Sequence, residues 1–258
     1  MKALEVSGLR KNFGGIRAVY DFSLWVEEFE TLGIIGPNGA GKTTVFNLIS
    51  GLTQPDAGKI KMFNQDLVGI PPHRLAHLGL SRTFQNLRLF NSLTVKENIS
   101  APLLAAKGYG LTSAILRTRR FGQLEKEAAE KTDILLDFFQ LSEKKKWPAD
   151  SLPYGEQRKL ELARALAINP KLLLIDEPGA GMNPREIQDL VQTLKKVKEQ
   201  FRLTIILIEH QMGLIMNISD RVVVMEFGQK IAEGPPGMVK RDPKVIKAYL
   251  GETPLQCC

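Results

Sequence analysis

The octapeptide GPNGAGKT, Gly36 to Thr43, constrains this chain more than any other stretch. It follows the apolar run TLGII directly and opens onto a helical pattern, KTTVFNLISG. Gly36, Gly39 and Gly41 permit a tight loop whose backbone N–H groups turn inward, with Pro37, Asn38 and Ala40 between them. The helix that follows adds its positive N-terminal end. Lys42 brings a point charge to the β and γ phosphates of a nucleotide, and the Thr43 hydroxyl is a ligand for Mg2+. A chance glycine-rich turn would not bring strand, lysine and helix together in this order.

A second element of phosphate chemistry follows much later. LLLIDEP, Leu172 to Pro178, is a buried-strand pattern ending in two carboxylates. Asp176 at the strand end suits Mg2+, through water, and Glu177 beside it is placed to orient or deprotonate a water. LIEH, at 207–210, ends another apolar run. Ligand sites of parallel α/β sheets lie at such strand ends, so His210 is a candidate γ-phosphate contact. Gln85, in RTFQN, is an uncharged polar group that carries no message by itself.

The pattern around these motifs specifies the fold class. ALEVSGL and AVYDFSLWVEE alternate, as antiparallel strands with one wet face do. TLGIIG, KLLLID, LTIILIEH and DRVVVME are continuous apolar runs, as in strands buried on both faces. Helical patterns, EQRKLELARALAI and PREIQDLVQTLKKVKEQ among them, separate these runs. The expectation is an α/β core with a mostly parallel sheet and an antiparallel β subdomain, 1–92 and 168–258. From about Leu93 to Asp150 the pattern is helical without an apolar β run, so a helical subdomain is expected at 93–167. Its basic segment LRTRRF, 116–121, reads as a solvated helix face, with lipid headgroups the alternative.

The 258 residues suffice for one large domain or two small ones. No apolar run approaches the roughly 18 residues of a membrane span, and the N-terminus lacks the apolar stretch of a signal peptide, which predicts a cytoplasmic chain. A net charge of +7 suits a nucleotide, a nucleic acid or the inner membrane surface, and serves solubility equally well. No recognition helix or aromatic-basic pattern supports nucleic acid. The two cysteines, Cys257 and Cys258, are adjacent in the terminal residues, which excludes an internal disulfide framework. They read as a frayed tail, or else a lipidation signal.

Together the motifs resemble the nucleotide-binding subunit of ABC transporters over nearly the whole chain. GPNGAGKTT, to Thr44, is similar to Walker A, FQN to the Q-loop, LLLIDEP to Walker B, GAGMN to the D-loop and His210 to the switch histidine. LPYGE, Leu152, Pro153, Tyr154, Gly155 and Glu156, stands where the family has its signature. Phe13, in KNFGG, matches the aromatic that stacks on adenine. RTFQNLRLFNSLTVKEN and the ending ISDRVVVMEFGQKIAEGPPGMVKRDPKVIKAYLG resemble one branch, the LivG-type ATPase of high-affinity branched-chain amino-acid importers. Three departures stand out: Pro153 and Tyr154 for the signature's serine and a glycine, Asn183 where aspartate is commoner, and Phe29 for a glycine before Glu30.

The resemblance implies ATP and Mg2+ as ligands, the metal held by Thr43, Gln85 and Asp176, with Glu177, Gln85 and His210 catalytic. It implies a second ATPase subunit of a different sequence, two membrane permeases and, indirectly, a periplasmic or extracellular binding protein, at the cytoplasmic membrane face. The signature would act on the partner's nucleotide. The segment NLRLFNSLTV would form the groove for a permease helix. A urea or amide importer, a lipopolysaccharide exporter and a soluble ABC ATPase are the alternatives.

Overall fold

The computed structural model describes residues 1–85, 87–106 and 119–250. The basic segment 116–118 and the cysteine pair lie outside these residues, as do the side chains of 119–121. The strands are β1 (Lys2–Phe13), β2 (Ile16–Glu27), β3 (Thr31–Ile35), β4 (Ala57–Met62), β5 (Gln65–Asp66), β6 (Leu80–Arg82), β7 (Leu172–Asp176), β8 (Thr204–Ile208), β9 (Arg221–Glu226) and β10 (Gln229–Gly234). The chain divides into two compact units, Met1–Leu75 with Lys171–Cys258, and Ala76–Pro170.

The first unit contains two sheets. In one the order is β2-β1-β4-β5, antiparallel throughout. The alternation in β1 and β2 does what a period of two predicts: Leu4, Val6, Phe22, Leu24 and Val26 go inside while Tyr20 and Trp25 remain partly exposed. In the other, β10, β9, β3, β8 and β7 lie side by side in that order. β3 is parallel to β8 and β9, and β7 is parallel to β8. Every residue of β3, β7 and β8 is buried, as their unbroken apolar runs require. Only β10 runs antiparallel, on β9.

Register fixes where the chemistry collects. Ile34 and Asp176 both pair with Ile208, so β3, β7 and β8 end level with one another. The residues that follow each strand therefore emerge on one edge of the sheet. The helix Lys42–Ile49 leaves that edge after β3, burying Val45, Phe46, Leu48 and Ile49. The helix Pro184–Phe201 buries Leu190, Val191, Leu194 and Val197, an apolar stripe with helical spacing.

The second unit, Ala76–Pro170, is mostly helical and also holds β6. The helices Val95–Ala106, Arg119–Phe138 and Tyr154–Ala167 pack on one another. Ile99, Leu135, Leu136, Leu141 and Leu160 form their shared core, and each such side chain contributes about 1.5–3 kcal/mol by leaving water.

Candidate functional site

The phosphate loop is a backbone structure that excludes side chains at two points. Gly36 has φ 154°, and a Cβ there would lie 2.1 Å from the Met225 carbonyl oxygen. Gly41 has φ 97°, and its Cβ would lie 2.4 Å from the Ala18 carbonyl oxygen. No L-residue fits either position, which leaves a cradle lined by main chain. Gly41 is also the N-cap of the helix Lys42–Ile49, so the loop ends where the helix N–H groups begin.

Lys42 is nearly buried, and its ammonium donates to the carbonyls of Gly36 at 2.8 Å and Pro37 at 3.0 Å. Burial holds its pKa below the usual lysine value, against the opposing pull of Glu177 and Asp176. The cation is thus curled into its own loop, satisfied by two neutral acceptors, with two carboxylates near enough to act on its charge. Phosphate oxygens are stronger acceptors than these carbonyls, so a phosphate placed in the loop would draw the ammonium outward. Asn38, Gly39 and Thr43 are exposed on this loop, Thr44 is half-buried and Ala40 is buried. The last helix, Pro243–Leu250, reaches the loop as well. Burial pushes the Tyr249 hydroxyl's pKa up while the Gly36 N–H faces it.

Asp176 ends β7 almost fully buried. Glu177 follows with φ 44°, a left-handed conformation anchored by its N–H donating to the Ile208 carbonyl at 2.9 Å. His210 Nδ1 lies 3.7 Å from a Glu177 oxygen and 3.6 Å from a Glu209 oxygen, beyond hydrogen-bond range of both. A water between Glu177 and His210 would be held from both sides.

Glu209 is the feature that sequence reading missed. Its carboxylate has no exposed surface. Burial raises its pKa, against the backbone N–H groups of Gln211 at 3.2 Å and Gly179 at 3.3 Å. Gln211 Nε2 closes the clasp by donating to the Gly179 carbonyl at 3.1 Å. The loop after Glu177 is thereby tied to the end of β8. The only signal was a carboxylate inside the apolar run LTIILIEH.

Two of the departures have local reasons. Asn183 caps the helix Pro184–Phe201: its side chain accepts from Arg185 and Glu186 N–H at 3.0 Å, and Glu186 accepts from the Asn183 N–H at 2.9 Å. Asparagine and aspartate cap equally well, so the exchange is neutral for this helix. Phe29 sits at φ 63°, where glycine would be free of strain. The Phe29 N–H donates to Thr204 Oγ1 at 3.0 Å, and the Arg202 guanidinium lies 4.9 Å from the ring centre. Phe13, at the end of β1, is half-exposed with Lys11 Nζ 5.5 Å from its ring centre.

The second unit carries Gln85 and Leu152 to Glu156. Pro153 is the N-cap of the helix Tyr154–Ala167, one residue ahead of the first turn in which a proline is expected. Its φ of −54° and ψ of 150° suit both proline and an N-cap, and its carbonyl accepts from the N–H groups of Glu156 and Gln157. Leu152 is buried, and its carbonyl accepts from Gln157 Nε2 at 2.8 Å. Glu156 pairs with Lys144 at 2.6 Å. Gly155 lies in the first turn, leaving that end of the helix slim. Nearby, Phe90, Ala101, Pro102, Ala105, Arg164 and Ile168 line a cavity of about 350 Å³.

The sequence matches the ABC transporter family over residues 19–180 and the branched-chain amino acid ATP-binding cassette transporter family over 229–253. It is 43% identical over 249 residues to the high-affinity branched-chain amino acid transport ATP-binding protein BraF of Pseudomonas aeruginosa, covering 96% of this chain and 98% of that one. It is 41% identical, with the same coverage, to LivG of Escherichia coli, which carries the same description. Its fold superposes with a TM-score of 0.85 on the ADP conformation of an ATP-binding cassette from an ABC transporter, at 33% identity, covering 98% of this chain and 100% of that chain. A nucleotide-free cassette gives 0.84 at 32% identity, again over 98% and 100% of the two chains.

Proposed function

This chain belongs to the ABC transporter family of ATP-binding cassettes, and we propose that it is the ATP-hydrolysing subunit of an importer for branched-chain amino acids. The observation that carries this reading is the likeness to branched-chain transport subunits along nearly the whole chain, joined to a phosphate loop that folds its buried lysine onto its own carbonyls.

The residues divide the chemistry among them. The loop from Gly36 to Thr43, with Thr44 behind it, wraps the β and γ phosphates in backbone N–H groups, and Lys42 neutralises their charge. Thr43 is exposed on the loop and Asp176 ends β7. Oxygen donors of this kind fit Mg2+, which takes one or two protein oxygens and completes its shell with phosphate and water. Mg2+ would be held by Thr43 and Asp176, with Gln85 as a further oxygen donor, and it supplies positive charge where the γ-phosphate leaves. Glu177 orients the attacking water and draws its proton, and His210 fixes the γ-phosphate from the other side. Phe13 stacks on the adenine. The slim helix start at Pro153–Glu156 closes on the nucleotide of a partner ATPase, presenting N–H groups and a helix dipole.

The likeness to branched-chain transport subunits supports the partners. A second ATPase of different sequence completes both sites, and two permeases bind the pair at the cytoplasmic membrane face, with an external binding protein delivering the amino acid. No described helix is long and apolar enough to cross a membrane. The cavity beside Phe90 is the seat for a short permease helix. The test is co-expression with the permeases of a branched-chain amino-acid importer. Uptake of leucine should require this chain and should be lost in Glu177→Gln, which still binds ATP, and in Lys42→Ala, which does not. Leucine uptake that persists without the chain would refute the assignment, as would near-normal turnover by Glu177→Gln.

A further inference from the structure

Arg158 is a buried cation at the hub of four hydrogen bonds, all inside the helical unit. Its Nη1 donates to the Phe84 carbonyl and to Glu161 Oε2, both at 3.1 Å. Its Nη2 donates to the Gln85 carbonyl at 2.7 Å and to the Tyr154 hydroxyl at 2.8 Å. Glu161 completes the circuit, for its other oxygen accepts from the Phe84 N–H at 3.2 Å. Both charged side chains are 3% exposed. Tyr154, Arg158 and Glu161 stand at spacings of four and three on one helix face. Phe84 is held from its other side too, with Arg88 and Arg82 at 4.3 and 5.2 Å from its ring centre.

Burying an ion pair gains little stability over an apolar pair, so its presence points to a need for fixed geometry. Only a planar guanidinium can reach two carbonyls, a carboxylate and a phenol at once; an ammonium cannot. The phenol comes from Tyr154, the residue that stands where the family's signature has a glycine. The substitution therefore adds an acceptor that points along the helix.

We propose that Arg158, braced by Tyr154 and Glu161, is a positioning residue that fastens the backbone at Phe84–Gln85 to the first two turns of the helix Tyr154–Ala167, so that the two segments move as one body. The consequence rests on the function proposed above. Gln85 reads the nucleotide bound by its own chain, whereas the helix start acts on the partner's nucleotide. Arg158 then carries the state of one ATP site to the other through four hydrogen bonds.

Backbone hydrogen exchange on the full chain tests this, in a Glu177→Gln background that holds ATP unhydrolysed. Arg158→Lys keeps the charge opposite Glu161 but loses the fork. Tyr154→Phe keeps the ring and loses only the hydroxyl, so it remains informative should the lysine variant fail to fold. Without nucleotide, the Phe84 amide should exchange about 10-fold faster in Arg158→Lys and about threefold faster in Tyr154→Phe. Unchanged rates in both variants would overturn the clamp. With Mg-ATP, the parent should gain protection at Phe84–Gln85 and at Tyr154–Gln157 together. The variants should gain it at the first segment only, a split that mere loss of stability would not produce. Parental protection of both segments in the variants would also overturn the proposal. If ATP protects neither segment of the parent, nucleotide sensing by Gln85 fails, and the nucleotide-free rates still decide the clamp.

Discussion

Glu209 shows what single residues can hide. Lys42, Thr43, Asp176 and Glu177 are legible in the sequence because each type is rare in its setting and the spacing around it is specific. Glu209 differs only by one position from a strand end that reads as apolar, and its partners, Gly179 and Gln211, are ordinary turn residues. Its effect is measurable through pH. Burial favours the neutral carboxyl, so its folded pKa lies above the ordinary 4.5. Stability from that group is complete below the unfolded value and is lost as pH rises through the folded value. Glutamine has no proton to lose. The stability of the parent relative to Glu209→Gln should therefore be greatest in acid and should fall toward neutral pH. Urea midpoints of both chains from about pH 4 to 8 check this. A difference that stays constant with pH would mean Glu209 titrates alike in the folded and unfolded chains.

At the scale of elements, legibility follows burial. β3, β7, β8 and β9 declare themselves because strands covered on both faces need unbroken apolar runs. β4 and β10 do not, because most of their residues are exposed or half-exposed, and QKIAEG has neither alternation nor an apolar run. The helix Pro184–Phe201 is visible from its stripe of Leu190, Val191, Leu194 and Val197, whereas its cap, Asn183, reads in the sequence only as part of a family loop. The structure adds a capping box there, and this carries a prediction. Asn183→Ala removes the acceptor for two N–H groups and should cost about 1 kcal/mol in denaturant unfolding. Asn183→Asp keeps the acceptor and adds a charge suited to the helix dipole, so it should hold stability within about 0.5 kcal/mol of the parent. A loss in the aspartate variant as large as in the alanine variant would show that the cap is not what stabilises this end.

For the whole molecule, the proposed function makes the sites composite, so that a single chain would hold only half of each. Alone, the chain should be mostly monomeric with low ATPase activity, since the permeases raise the effective concentration of its partner. Pro153 tests the shared half. Its N-cap position has no side-chain acceptor for the helix N–H groups, and the family's serine would supply a hydroxyl there. In the isolated chain that hydroxyl can cap its own helix, worth about 0.5–2 kcal/mol, while the loss of proline's fixed φ costs about 0.4–1 kcal/mol through the unfolded state. These terms nearly cancel, so Pro153→Ser should leave the folding stability of the chain within about 1 kcal/mol. Its own ATP affinity should not change either if, as proposed, the signature acts on the partner's nucleotide. Closure is where the serine should act. A hydrogen bond to a charged phosphate is worth about 1.5–3 kcal/mol, or about 10- to 100-fold in an association constant. ATP-driven association with the partner ATPase, measured with hydrolysis blocked by Glu177→Gln, should strengthen within that range. No gain in association would mean that the Gly155 N–H and the helix dipole already saturate the γ-phosphate. The hydroxyl that Pro153 displaced would then have had no energetic role in this transporter.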